Sequence, residues 1–325
     1  MRLLPSVKYA KTARGIASNF VKREAIYPFY ASYKITNKCN MRCKFCNVWM
    51  EKTPVLPTEE VFKVLDNLGN STITLLSLEG GEPLRRKDLW DILKYARTKP
   101  FYLFFTTNGL LLDKVPMEEY GRYIDFLHIS IDEAHGNLDM LERLEEFQRF
   151  APVCVQTVVT REDLQALEDK VRQVYKAQAR TVIMPAVHLA KTDNFYPDPE
   201  DFRREINRLK KKYKNTITTP YGFLDRINMP HGCSTSSIII DCDGKLFYPC
   251  RVLQQKVCDL TKVPLMDYLN SQSAAELRSQ MAACKQRCGW YQYFATNSFT
   301  SPREFLSAIR PYSDGLGTNG RKARC

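Results

Sequence analysis

The stretch SYKITNKCNMRCKFC, residues 32–46, decides the fold and the chemistry that we expect of this chain. Its first part is a short apolar and β-branched run, which predicts a strand over residues 32–36. Three cysteines follow at once, Cys39, Cys43 and Cys46, in the spacing C-x-x-x-C-x-x-C. The sequence therefore predicts three thiols just beyond the carboxyl end of a strand.

Strand and helix patterns alternate from about residue 31 to residue 215. Similar short runs predict strands over residues 32–36, 73–78, 101–106, 126–131, 153–159 and 182–187. The first helix between them is predicted to begin with Thr58 as its N-cap, to bury Val61, Leu65 and Leu68, and to end at Gly69. Repeated strand–helix units imply an α/β fold, a parallel sheet with functional residues at the carboxyl ends of its strands.

Composition limits the classes of protein. The 325 residues are enough for one large α/β domain and a smaller module. The chain has no apolar stretch of about 18 residues and no secretory signal, so we expect a cytoplasmic protein. Its net charge of +12 would suit nucleic acid, anionic lipid or acidic substrates. We interpret the run Lys210, Lys211, Lys212 and Lys214 as a solvated surface.

Eleven cysteines are many for an intracellular chain, and their odd number and clustering favour metal ligation over disulfides. Thiolates are the usual ligands of iron–sulfur clusters. Three local cysteines leave one iron of a 4Fe–4S cluster open, and an open metal position is what a catalytic site needs. The alternatives are a zinc site or reduced structural cysteines, although no nearby Cys or His completes a zinc tetrahedron.

The cysteine spacing, with Phe45 before the last cysteine, resembles the signature of the radical S-adenosylmethionine (SAM) superfamily. The second predicted strand ends in Gly80-Gly81-Glu82-Pro83, which resembles that family's GGEP motif, whose backbone and acid hold the methionine amino group. The resemblance covers about residues 30–190. It implies a partial (βα)6 TIM-like barrel with a SAM-binding 4Fe–4S cluster on the three cysteines.

The same resemblance implies a mechanism. The open iron chelates SAM, and the reduced cluster cleaves it to a 5′-deoxyadenosyl radical, which abstracts hydrogen from an unactivated C–H bond. An external low-potential donor such as ferredoxin or flavodoxin would supply the electron. Beyond Phe45, Gly80, Gly81 and Glu82, the family pattern suggests SAM contacts at Ser130, Asp132, Gln156 and Arg161.

Strand alternation supports part of this assignment. Phe126, His128, Ser130 and Asp132 share one face of the fourth strand, and Leu127, Ile129 and Ile131 share the other. The first set would line the barrel, and the apolar set would lie under helices. Ordinary strand-end polarity is the alternative for each suggested SAM contact. We interpret His128 as a core histidine with satisfied hydrogen bonds, not as a catalytic residue.

A second cysteine group lies near the C-terminus. A predicted hairpin, with its turn at residues 241–244, would bring Cys233 and Cys250 together. A helical turn would pair Cys284 with Cys288. These four resemble the ligands of the SPASM and twitch modules, in the single-cluster form. Cys258 could replace one of them, and zinc is the alternative metal. A second auxiliary cluster would need Cys154 and Cys325, so we expect one auxiliary 4Fe–4S cluster.

We therefore expect four segments: a basic amphipathic N-terminal helix (1–30), a radical SAM barrel (31–215), an auxiliary-cluster module (216–297) and a tail or lid (298–325). The first helix could lie on an anionic membrane, peripheral to its inner face, or pack against the enzyme. Both alternatives remain open.

The leading functional hypothesis is a radical SAM oxidoreductase with an auxiliary cluster that relays electrons. The basic N-terminus resembles lipid-modifying branches, which suggests a lipid or isoprenoid substrate. Modification of a peptide is the second hypothesis, and RNA, suggested by charge alone, is the third. A non-catalytic iron–sulfur carrier is a different class, but a carrier has no need for the GGEP motif.

Overall fold

The computed structural model describes residues 2–186, 195–227, 233–234, 236–253, 255–285 and 290–292. The predicted tail, residues 298–325, and the predicted ligand Cys288 lie outside the described residues. The strands are β1 (Tyr30–Thr36), β2 (Leu75–Gly80), β3 (Tyr102–Thr107), β4 (Phe126–Ser130), β5 (Val153–Val159), β6 (Arg180–Pro185), β7 (Ser237–Ile240), β8 (Lys245–Phe247) and β9 (Lys256–Asp259).

Helices alternate with the parallel strands, and those between β1 and β5 pack against the larger apolar core of the sheet. The helices are α1 (Ser6–Lys22), α2 (Thr58–Gly69), α3 (Leu89–Arg97), α4 (Met117–Tyr120), α5 (Leu144–Phe147), α6 (Leu167–Lys176), α7 (Pro199–Lys212), α8 (Tyr221–Arg226), α9 (Leu265–Leu269) and α10 (Gln272–Ala282). No helix in the described part of the chain is long and apolar enough to cross a bilayer.

The described strands form one open sheet in the order β6-β5-β4-β3-β2-β1-β7-β8-β9. Strands β1 to β6 pair in parallel with their neighbours in sequence, and β7 also pairs in parallel with β1. The predicted α/β class and partial barrel are confirmed. The sequence located all six predicted barrel strands to within two residues at each end.

Alternation along each strand separates two environments. Tyr33, Phe105 and Ile129 point to the helix side, where they have no exposed surface. Leu127 and Ile131 are buried in the same core, which confirms the prediction for the apolar face of β4. The opposite faces of the strands form the interior of the partial barrel, where the functional side chains are expected.

The first helix of the barrel, α2, ends at Gly69 and buries the predicted apolar residues. Its predicted N-cap is wrong, because Pro57 occupies the cap position. The Thr58 hydroxyl instead donates a hydrogen bond of 2.7 Å to Asp88, just before α3. A local pattern predicted where the helix begins, but tertiary contact decided what the threonine binds.

The N-terminal helix α1 packs against the barrel through its polar side. The Lys8 ammonium donates to the carbonyl oxygens of Gly69 (3.0 Å) and Ser71 (2.8 Å), and the Thr12 hydroxyl donates to the Thr72 carbonyl. Burial lowers the pKa of Lys8 to about 7. These contacts agree with the packing alternative for the helix.

The apolar side of α1 points away from the barrel. Leu3, Val7 and Val21 are 89%, 77% and 85% exposed. Leu4, just before the helix, turns inward and packs on Tyr102 at the amino end of the strands, and Ile16 and Phe20 are half-buried. The helix is therefore amphipathic as predicted, but part of its apolar stripe, at Val7 and Val21, remains uncovered.

The C-terminal hairpin forms as predicted, with β7 and β8 antiparallel. It also joins the barrel sheet, since Tyr30 of β1 pairs with Ser237 of β7. Strand β9, which the sequence did not suggest, adds to the same edge. The residues assigned to the auxiliary module therefore share a sheet with the barrel.

The lysines at the end of α7 are not all solvated. The Lys210 ammonium donates to the carbonyl oxygens of Ile217 (3.1 Å) and Thr219 (2.6 Å), and burial lowers its pKa to about 8. Our interpretation of the run as a solvated surface is wrong for this residue. Lys212 is exposed and pairs with Glu168.

The end of β2 allows a stability test of the sheet. A Cβ at Gly80 would lie 2.4 Å from the Thr36 carbonyl oxygen, so Gly80→Ala should lower the free energy of unfolding by about 1–3 kcal/mol. Gly69→Ala is the matched control, because its nearest contact would be an ordinary 3.4 Å and alanine favours a helix. Anaerobic urea unfolding measures both, and equal stability of the two variants would contradict the packing argument.

Candidate functional site

The three N-terminal cysteines lie on a loop, residues 37–53, that follows β1. All three are free thiols, and the Cys46 amide donates to the Cys43 carbonyl at 3.0 Å. Burial raises the pKa of Cys39 and Cys46, and each responds to the neighbouring thiols, so the three lie within electrostatic range of one another.

The donor set of this loop is three thiols, the ligand type of an iron–sulfur cluster. No three His, Cys, Asp or Glu side chains among the described residues converge closely enough to hold a single metal ion. A four-iron cluster holds its thiolates farther apart than a single ion does, and thiolates are its usual ligands. The residues present therefore fit a 4Fe–4S cluster that is held on three sides.

Hydrogen bonds fix the two ends of the cysteine loop. The Asn37 amide donates to the carbonyl oxygens of Glu51 (2.9 Å) and Thr53 (2.8 Å), which brings the ends together. The Arg85 guanidinium donates to the Cys39 carbonyl at 2.8 Å. The loop is thus tied both to itself and to the turn after β2.

The glycines after β2 let that turn lie directly against the cysteine loop. The Gly81 amide donates to the Thr36 carbonyl at 2.7 Å, and the Glu82 amide donates to the Lys38 carbonyl at 2.8 Å. A Cβ at position 81 would lie only 2.5 Å from the Lys38 oxygen. No other residue type fits this approach without a shift of the backbone.

The Glu82 side chain is fully buried and faces the protein. Its carboxylate accepts hydrogen bonds from the amides of Leu84 (3.0 Å) and Asn108 (2.8 Å) and from the Thr107 hydroxyl (2.8 Å). Burial raises its pKa, while these bonds oppose the rise. Protein donors thus occupy this carboxylate and join the ends of β2 and β3, and the expected contact of this acid with SAM stays a prediction.

Asp132 is also fully buried. It accepts from the amides of His135 (3.0 Å) and Val158 (3.1 Å), and one carboxylate oxygen lies 2.8 Å from His135 Nδ1. Burial opposes a charge on His135, but Asp132 and Cys43 outweigh it and raise the pKa of His135 to about 10.

His135 is a site residue that the sequence reasoning missed. Its ring packs edge-on against Phe45 of the cysteine loop, with centroids 5.7 Å apart. The one signal for it was its position three residues after Asp132, where an N-cap side chain meets the first turn. The Asp132–His135 pair therefore supports the cysteine loop from the end of β4.

The other predicted SAM contacts differ in position. Ser130 and Gln156 lie on the interior faces of β4 and β5, as strand alternation predicted for Ser130. The Gln156 amide lies 2.9 Å from His128 Nδ1, and burial lowers the pKa of His128 to about 4, so this ring is neutral and paired. Arg161 lies beyond the strand end and is exposed.

The interior faces of the first three strands are polar near the cysteine loop. Ser32, Lys34 and Glu79 lie there, and the Ser77 and Thr106 hydroxyls are 3.1 Å apart. Burial raises the pKa of Glu79, and hydrogen bonds from Ser32 and Ser77 oppose the rise. Strand alternation from Ser77 was the signal that could have found Glu79 as a second acid of the site.

Three of the four predicted auxiliary ligands meet near the end of α10. The amides of Cys233 (2.9 Å) and Cys284 (3.1 Å) both donate to the Met281 carbonyl. Cys250 packs in the same apolar cluster as Cys233, and its raised pKa, due mainly to burial, also responds to Cys284.

The helix α10 ends at Ala282, before Cys284, and most of the turn that would pair Cys284 with Cys288 lies outside the described residues. Cys258 packs in the larger core on the other side of the sheet, while Cys233 and Cys250 pack in the second core. This separation argues against Cys258 as a replacement ligand.

Comparison with known proteins agrees with this geometry. Residues 33–153 match the family model described as the Radical SAM superfamily. Over 113 residues, 32% of this chain and 33% of the relative, the chain is 33% identical to a GTP 3′,8-cyclase of Lactiplantibacillus plantarum. Over 104 residues, 31% of this chain and 28% of the relative, it is 29% identical to a PqqA peptide cyclase of Granulibacter bethesdensis.

The chain spans about a third of the length of these curated relatives. A solved structure, Streptococcus suis SuiB bound to SAM, superposes with a TM-score of 0.66 over 89% of this chain and 78% of SuiB. Its sequence identity is 17%, so the likeness shows the fold. Proteins of the matched family use a 4Fe–4S cluster and SAM. Residues 33–153 therefore match a radical SAM domain, and this part of the chain is similar to the radical SAM superfamily.

Proposed function

We propose that the chain binds a 4Fe–4S cluster through Cys39, Cys43 and Cys46 and cleaves SAM reductively. When bound, the cluster supplies the electron that splits SAM into methionine and a 5′-deoxyadenosyl radical. The observation that carries the proposal is the contact between the loop of three free thiols and the Gly80–Gly81 turn.

The surrounding residues take separate roles in this proposal. The backbone after β2, at Gly80 and Gly81, would lie along the methionine end of SAM. Ser130 and Gln156 face the interior and would bind its polar groups. Glu82 and Asp132 would act as positioning residues, since protein donors already occupy their carboxylates. Arg161 would reach SAM only from the rim.

We propose a polar substrate of the peptide class, which undergoes abstraction of a hydrogen atom from a carbon. The support is the part of the interior near the cysteine loop, where hydroxyls and the ionisable side chains of Lys34 and Glu79 would offer an isoprenoid chain few apolar contacts. The relative from G. bethesdensis is, by its name, a cyclase of a peptide. A lipid substrate is the second candidate, favoured by the uncovered apolar side of α1.

We also propose one auxiliary 4Fe–4S cluster on Cys233, Cys250, Cys284 and Cys288. Its support is the meeting of the first three thiols around the end of α10. The cluster would exchange electrons with the substrate side, and an external donor of the ferredoxin or flavodoxin type would reduce the enzyme. Zinc would fit four thiolates equally well but carries no electrons.

Replacing Cys39, Cys43 and Cys46 together by alanine tests both cluster assignments. The variant should release no 5′-deoxyadenosine from SAM under reducing, anaerobic conditions and should lose about four irons per chain. About four irons should remain in the variant, bound at the auxiliary site, and the spectrum of this cluster should not change when SAM is added. Iron analysis and product chromatography measure these outcomes.

The matched control replaces two buried thiols, Cys242 and Cys258, which lie outside both groups. That variant should keep its full iron content and SAM cleavage. SAM cleavage by the triple variant would overturn the catalytic assignment, and one zinc without residual iron would overturn the auxiliary assignment alone.

Glu82→Gln tests the positioning role. The amide cannot accept the same three bonds, so we expect stability to fall by about 1–3 kcal/mol and SAM affinity to fall with it, while iron is retained. Urea unfolding and equilibrium SAM binding measure the two effects. Glu162→Gln is the control, because its exposed pair with Lys44 contributes little. Weaker SAM binding without a loss of stability would instead indicate direct contact.

We further propose that the uncovered side of α1 binds an anionic membrane surface. Leu3, Val7 and Val21 would enter the interface, and the exposed cations Arg14 and Lys22 would meet anionic headgroups. The helix carries no acidic residue that would oppose this attraction.

The membrane proposal predicts that Val7→Asp with Val21→Asp abolishes co-sedimentation with anionic vesicles at low salt. The fold should persist, because both side chains point away from the barrel. Val263→Asp, a similar change at a site that is 39% exposed elsewhere on the surface, should leave binding intact. Failure of the unaltered protein to sediment, or equal binding to zwitterionic vesicles, would contradict the proposal.

A further inference from the structure

A group of buried charges joins the cysteine loop to the C-terminal segment. Glu51, near the end of the loop, pairs with both Lys34 of β1 and Arg251. The Lys34 ammonium also lies 2.5 Å from Asp241, which is fully buried at the end of β7. These pairs connect elements that are far apart in the sequence.

Arg251 occupies the position between the two cysteine groups. It follows Cys250 in the chain, it is 7% exposed, and its guanidinium lies 4.7 Å from the Phe247 ring centre. Its guanidinium pairs with Glu51, which lies five residues after Cys46 in the same loop. One buried cation therefore acts on the catalytic loop while its backbone belongs to the auxiliary segment.

Charge in this position affects electron transfer. A fixed cation stabilises a site that gains an electron, and a fixed anion destabilises it, most strongly where water is scarce. Net charge around a cluster is one of the factors that set its reduction potential. Arg251 and Glu51 have opposite charges and neighbouring positions, so each would shift the potential in the opposite direction.

We propose that Arg251 and Glu51 form a positioning pair that holds the catalytic loop to the auxiliary segment and sets the reduction potential of the catalytic cluster. The inference rests on the proposed cluster at Cys39, Cys43 and Cys46. It gives Arg251 and Glu51 the role of linking the two cysteine groups. The pair couples the two cysteine groups, because a movement of the auxiliary segment would move the Arg251 cation and change the charge near the catalytic cluster.

The test uses the full-length protein with its iron–sulfur clusters reconstituted. EPR-monitored redox titration would follow the cluster signal that SAM perturbs. Arg251→Gln should shift its midpoint potential to lower values, and Glu51→Gln should shift it to higher values. Arg251→Lys keeps the charge and should stay near the unaltered protein.

Hydrogen exchange of residues 38–53 in the iron-free protein provides the second measurement. Both glutamine variants should speed exchange there, because each breaks the Glu51–Arg251 pair. Shifts of the same sign in the two variants, or no shift, would overturn the potential-setting role, and unchanged exchange would overturn the positioning role. Absence of any SAM-responsive signal in the unaltered protein would instead reject the proposed function on which the inference rests.

Discussion

The hydrogen bonds of the buried Glu82 carboxylate are the constraint on which the site depends. They join the turn after β2 to Thr107 and Asn108 at the end of β3, and the Glu82 amide ties the same turn to Lys38. A buried charge without such partners would cost several kcal/mol. These hydrogen bonds therefore favour one arrangement of the strand ends and of the cysteine loop that is bonded to them.

A second buried acid holds another strand end of the barrel in the same way. At the end of β4, Asp132 binds His135 and Val158, and His135 contacts Phe45 of the cysteine loop. Acids at two strand ends thus accept hydrogen bonds from protein donors and hold neighbouring segments together. This arrangement lets a loop of three thiols keep its position although the loop itself has little regular structure.

The sequence predicted what depends on local pattern. Strand positions followed from short apolar runs, and the cysteine loop followed from its spacing. The partners of Glu82 could not be predicted, because Thr107 and Asn108 lie 25 and 26 residues away and only the sheet order brings them together. The orientation of α1 could not be predicted either. Its pattern showed a polar and an apolar face, but only the structure shows that Lys8 and Thr12 bind carbonyl oxygens of the barrel, which leaves the apolar face outward.

The C-terminal segment shows how two cysteine groups can act within one body. Because β7 pairs with β1, the hairpin that precedes Cys250 lies in the sheet directly beside the strand that leads into the cysteine loop. A separate module on a flexible linker would leave the distance between the groups undefined. Here shared backbone hydrogen bonds fix the hairpin, and the Lys34–Asp241 pair adds a charged contact between the same two strands. The continuous sheet therefore fixes the distance between the two cysteine groups. Glu82 has the same effect within the first group, where it fixes the turn after β2 relative to the end of β3.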